Sequence, residues 1–163
     1  MGRNATGSMT TNAACRIELG YLLKNGYIKK GGSVFSTLSW TNGSNIGFES
    51  KYTDDEAYIR LIYTNTNQCT GEVTNHDYKI YLHEVPSNLG KGYVLYFICP
   101  SYGHYCRILY KCYGSLIWKS RLAYRNRIYY PSQVSSKTSY YNVRFWSLDN
   151  KLEELYKQVI KTH

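Results

Sequence analysis

A chain of 163 residues with a formal net charge of +9 is the size of one domain and strongly basic. It contains no run near the ~18 consecutive apolar residues a membrane helix needs, and no basic-then-apolar secretory pattern at its start, so a bilayer-spanning or exported protein is not expected. Tyrosine is the outlier, with 19 residues, while the five cysteines (Cys15, Cys69, Cys99, Cys106, Cys112) form an odd set without a disulfide framework.

Residues 1–8 are small and polar and read as a leader, with Met9 as the native start; residues 9–163 read as a single domain. From Ile17 to Tyr27, Leu19, Leu22 and Leu23 at i, i+3, i+4 predict a short helix that Asn25-Gly26 ends. Ser33–Trp40 alternates as a strand, Asn42-Gly43 signals a hairpin, and Ile46–Tyr52 returns. Asp54-Asp55-Glu56 is an acidic turn before a strand over Ala57–Tyr63. Asn65–Asn75 is polar and reads as a loop, Tyr78–Val85 as a strand closed by Pro86, and Asn88–Gly92 as a turn. Tyr93–Cys99 is nearly continuous in apolar residues and predicts a central strand. Arg107–Lys111 and Leu116–Lys119 suggest a hairpin around Tyr113-Gly114, whereas Arg121–Arg144 reads only as extended and irregular. Ser147 is a natural N-cap for a last helix, whose Leu148, Leu152, Leu155, Tyr156, Val159 and Ile160 form a stripe expected to dock on the sheet. The fold expected is mainly β (α+β): a small antiparallel β-sandwich or curled sheet with a ribbon-like β-hairpin and a C-terminal helix. Within it, 17–85 is a β-rich N-terminal part, 86–146 a basic aromatic part and 147–162 the helix.

Charge is distributed unevenly. Between Val85 and Leu148 there is no Asp or Glu, yet Lys91, Arg107, Lys111, Lys119, Arg121, Arg125, Arg127, Lys137 and Arg144 lie there and equal the whole net charge. Eleven tyrosines are interleaved with them, among them Tyr124, Tyr129 and Tyr130. Cations neutralise phosphates and aromatic faces stack on unpaired bases, so these residues are the candidate polyanion- or partner-binding set. Chemistry is sparse by comparison. No nucleophile elbow, phosphate loop or His-Glu-x-x-His is present, and the acidic triplet at 54–56 is the pattern of a solvated turn. A non-enzymatic protein without cofactor or metal is expected.

The segment Phe97-Ile98-Cys99-Pro100-Ser101-Tyr102-Gly103-His104-Tyr105-Cys106-Arg107-Ile108-Leu109-Tyr110 resembles a poorly characterised family of small proteins from phages and bacterial mobile elements. These carry an aromatic strand, Cys-Pro-x-Cys-Gly, a basic residue and Leu-Tyr, then a second Cys-x-x-Cys. Leu38-Ser39-Trp40, Asn88-Leu89-Gly90-Lys91-Gly92 and Tyr130-Pro131-Ser132-Gln133 extend the likeness. Tyr102 stands where the second ligand cysteine belongs, and 117–121 lacks cysteine, so the resemblance implies a zinc ribbon with degenerate ligands. It also implies an accessory protein in the bacterial cytoplasm that inhibits an RNA-guided nuclease or another nucleoprotein defence complex, of the anti-CRISPR type. A protein that binds RNA or DNA directly, and an assembly protein with an acidic partner, are the alternatives.

Overall fold

In the computed structural model, the residues described are 9–66, 70–112 and 114–134, together with 145, 148, 149, 151 and 152. The chain is mainly β, as expected. A six-stranded antiparallel meander runs in order β2 (Gly32–Ser39), β3 (Asn45–Tyr52), β4 (Ala57–Thr66), β5 (Val73–Pro86), β6 (Tyr93–Ile98) and β7 (Tyr105–Cys106). A separate two-stranded ribbon pairs β1 (Cys15–Glu18) with β8 (Ile108–Lys111), and α1 (Leu19–Lys24) follows β1 directly.

Period-2 alternation decides which face is buried. Phe48 of β3, Ile59 and Leu61 of β4, Ile80 and Leu82 of β5, and Leu95 and Phe97 of β6 point to one side. There they meet Ile17, Leu109, Leu19, Leu22 and Trp118, so the ribbon and α1 form a second layer over the meander. Each of these large side chains removed from water contributes about 1.5–3 kcal/mol. Trp118 stacks on Trp40 at 5.2 Å between centroids, and the Trp40 indole N–H donates to the Arg16 carbonyl at 3.1 Å. Helix α1 buries Leu19 and Leu22 but leaves Leu23 outside, and Gly26, at φ +73°, lets the chain turn back after Asn25.

The ribbon is packed on both sides. Ile17 and Leu109 face the meander, while Tyr110 and Cys112 face a second cluster built by Ala14, Tyr124 and Ile128, with Met9 against it. The segment after Trp118 is held there by a parallel bridge from Thr10 to Tyr129 and by the exchange of N–H···O bonds between Tyr110 and Lys119 at 2.8 and 3.1 Å. Within it lie one 3₁₀ turn, Arg121–Ala123, and α2, Pro131–Val134.

Three expectations change. The predicted loop over 65–75 is shorter, because β4 runs on to Thr66 and β5 starts at Val73; the Thr64 hydroxyl donates to Asn75 Oδ1 at 3.0 Å, a polar cross-strand pair that extends the ladder. Arg107–Lys111 does not form a hairpin ladder with Leu116–Lys119. Its partner is β1, the intervening residues 19–107 having returned it to the N-terminus, and only the Tyr110–Lys119 bridge joins the two expected arms. In the last helix the described residues are helical, but Phe145, Leu148 and Leu152 are 63%, 60% and 55% exposed, so these positions are not docked on the sheet. Ser147, Leu155, Tyr156, Val159 and Ile160 lie outside the described residues. No helix among those described is long and apolar enough to cross a membrane.

A candidate polyanion site beside the turn after Cys99

Cys99 ends β6 and begins the tight turn to β7. The Cys99 N–H donates to the His104 carbonyl at 2.9 Å and the Gly103 N–H donates back to the Cys99 carbonyl at 2.8 Å, with Gly103 at φ +70°, a conformation that favours glycine. The Cys99 sulfur accepts backbone N–H groups from Ser120 (at 3.4 Å), Ser101 and Tyr102. Burial pushes this thiol up, but those donors outweigh it and hold it below the usual thiol range. Tyr102, in the same turn, is 71% exposed. The donor set does not fit a zinc ion: among the described residues no three His, Cys, Asp or Glu side chains converge. Cys106 lies close to Cys99, and burial first, then that neighbour, push its thiol up to about 12. Cys15, Cys99, Cys106 and Cys112 are all free thiols, and Cys69 lies outside the described residues.

This turn positions what comes next. His104 Nε2 is hydrogen-bonded to the Ser120 hydroxyl, which fixes the chain where it enters the 3₁₀ turn and sets Arg121 beside β7. A pocket of about 280 Å3 opens there, lined by His104, Tyr105, Arg107, Arg121, Leu122 and Tyr130 among others. The Arg121 guanidinium lies 4.6 Å from the centre of the Tyr130 ring and donates to the Ile128 carbonyl at 3.1 Å. Across the ribbon, Glu18, the register partner of Ile108, is bound by Arg16 at 2.7 Å. The other described ion pairs likewise hold carboxylates with cations of the N-terminal half: Lys30–Glu84, Lys51–Glu56, and Arg60 with both Glu49 and Asp77. The pocket lining itself carries two guanidinium groups and no carboxylate.

Only part of the sequence-predicted set meets at this place. Arg107, Arg121 and Tyr130 do. Lys119 and Arg125 line a second, smaller pocket with Ser115, Tyr124 and Asn126. Lys91 is separate, in the exposed turn between β5 and β6, and Arg127 is exposed next to the buried Ile128. Three residues are corrected. Tyr124 is 8% exposed and its hydroxyl donates to the Tyr110 carbonyl at 2.6 Å, so it is a core residue, pulled inward by the second hydrophobic cluster. Lys111 is half-buried with its ammonium 4.0 Å from the Tyr63 ring centre, and burial holds its pKa below the ordinary lysine value. Tyr129 is half-buried by its bridge to Thr10. Lys137 and Arg144 lie outside the described residues. Sequence reasoning passed over His104 and Tyr105; the signal available was that Tyr105 and Arg107 stand two apart in an extended segment and so can share a side.

No protein-family model, curated protein or solved structure matches this chain.

Proposed function

We propose that this is a non-enzymatic binding protein whose pocket between β7 and the 3₁₀ turn holds the phosphodiester backbone of a single-stranded nucleic acid. The observation that carries it is the convergence of Arg107 and Arg121 with Tyr130, Tyr105 and His104 around one open pocket whose lining has no carboxylate. Guanidinium groups bind phosphate oxygens in a planar fork, and rings at the rim add stacking that is indifferent to base identity. Lys119 and Arg125 at the neighbouring pocket extend the positive surface along the strand's path.

The test is a salt titration of binding to labelled single-stranded RNA, single-stranded DNA and duplex DNA. Tight binding with a steep salt dependence is expected for a single strand. Removing both guanidinium groups (Arg107→Gln with Arg121→Gln) should weaken it and flatten the log–log slope by about 1.4, since each phosphate contact on a single strand contributes ~0.7. Because Arg121 also bonds Ile128, Arg107→Gln alone is the control for folding. Absence of binding at low salt would sink the reading.

A second reading is favoured by two apolar side chains at the rim, Leu122 at 74% and Tyr102 at 71% exposed. Anchors of that kind suit a protein partner, and an inhibitor that occupies the nucleic-acid path of an RNA-guided nuclease would use the same surface. Its binding would be far less sensitive to salt, and Leu122→Asp would weaken it more than Arg107→Gln.

A further inference from the structure

The face of the meander turned away from the core holds an aromatic group. His83 of β5 stands directly opposite Tyr96 of β6, and Ile98 of β6 opposite Tyr105 of β7, so the three rings project from one side. His83 and Tyr105 are stacked, with centroids 4.8 Å apart and planes 13° from parallel, and Tyr96 lies 6.1 Å from Tyr105. Tyr81, two residues from His83 and on the same face, is 54% exposed; Tyr105 is 52% exposed. Charge on this face is sorted. Asp77 and Glu49 are both bound by Arg60, Glu84 points to the opposite face where it meets Lys30 and Tyr52, Lys79 precedes Tyr81 by two residues on β5 with its ammonium 4.0 Å from the Tyr58 ring centre, and Lys91 lies in the exposed turn that follows β5. Tyr105 also lines the Arg107–Arg121 pocket, so rings and guanidinium groups form one continuous surface.

We propose that the outer face of β5–β7 is a base-stacking platform on which Tyr81, His83 and Tyr105 receive the bases of the strand whose phosphates Arg107 and Arg121 hold. The inference rests on the nucleic-acid reading above and narrows its ligand to unpaired bases. The His83–Tyr105 stack is already assembled, so a base adds to its open end without reordering side chains, and the Tyr81 ring provides a further surface along β5. In a duplex each base has both faces covered by its neighbours, so the platform selects single strands.

The experiment is fluorescence anisotropy with a labelled 12-nucleotide oligothymidylate, the matching oligouridylate and a 12-base-pair duplex. Four proteins are compared: the unchanged chain, Tyr81→Ala/His83→Ala, Tyr81→Phe/His83→Phe and Arg107→Gln. The alanine pair should bind single strands roughly 5- to 100-fold more weakly with an unchanged salt slope, the range expected when a stacked base loses its ring. The phenylalanine pair keeps both ring faces and should stay within about twofold of the unchanged protein. Arg107→Gln, by contrast, should flatten the slope. If the alanine pair binds like the unchanged protein while Arg107→Gln weakens, the platform is wrong and the pocket stands. If the unchanged protein binds no oligonucleotide, both fail. Equal binding of duplex and single strand would overturn the platform alone.

Discussion

Tyr124 offers the sharpest separation of scaffold from site. It sits among the arginines in sequence, yet its ring is packed with Tyr110, Cys112 and Ile128 and its hydroxyl donates to the Tyr110 carbonyl at 2.6 Å. In Tyr124→Phe that bond disappears but the acceptor is not orphaned, because the same carbonyl also takes the Lys119 N–H at 3.1 Å. The cost should therefore fall at the low end for a buried hydrogen bond, about 0.5–1 kcal/mol, or roughly 1–4 °C in melting temperature for a domain of this size. Tyr124→Ala adds the cavity left by the ring and should cost ~3–5 kcal/mol. It also takes away the surface over which the Lys119 ammonium sits, 4.5 Å from the ring centre. The assay is urea unfolding in parallel with oligonucleotide binding. Tyr124→Phe is expected to lose a little stability and to keep its affinity within about twofold, as befits a hydroxyl engaged inside the fold. Unchanged stability with a tenfold or greater loss of binding would refute the core assignment and return Tyr124 to the ligand.

Other consequences can be measured directly. Gly47→Ala places a Cβ 3.2 Å from the Ile62 carbonyl oxygen, in a strand interior with no room to yield, so it should destabilise by ~1 kcal/mol where an open strand position would not. The Arg60 hydrogen bonds hold the Asp77 carboxyl below its ordinary value. The stability this gives is present above the unfolded carboxyl pKa of ~3.9 and is lost as pH falls through the folded value. The gap in melting temperature between the unchanged protein and Asp77→Asn should accordingly be constant near neutrality and close in acid; a gap that persists at pH 2 would show the pair is not electrostatic. Cys106, with its thiol pushed up to about 12, should react with iodoacetamide at pH 8 far more slowly than a free cysteine peptide, and mass-spectrometric labelling would expose any error.

Much of the meander was legible. Alternation in Ser33–Trp40 and Ala57–Tyr63, the apolar run Tyr93–Cys99 and the Asn42-Gly43 turn are local signals, and a strand forms over each of the three segments. What stayed hidden depends on contacts distant in sequence. Nothing near Ile108–Lys111 announces that Cys15–Glu18 will pair with it, so the natural expectation was the nearer hairpin. The same blindness affected the site. Charge asymmetry pointed to the half of the chain that lines the pocket, but spacing alone gave no means to separate Arg121, on the pocket, from Lys111, folded over Tyr63, or Tyr130 from the buried Tyr124. His83 and Tyr81 come from the half in which cations and carboxylates balance, and only the register of β5 against β6 and β7 brings them to Tyr105.

Strand β5 changes neighbours in mid-course: its register with β4 ends at Tyr81 and that with β6 begins at Leu82. A four-stranded and a three-stranded half, which share β5, are thus welded at a single peptide unit, and little ladder bonding spans the weld. What makes them melt together is the pair of side chains on either side of it, Ile80 and Leu82, 1% and 6% exposed in the shared core. A polar residue at either position would be felt less as a lower melting temperature than as lost cooperativity, one calorimetric transition separating into two.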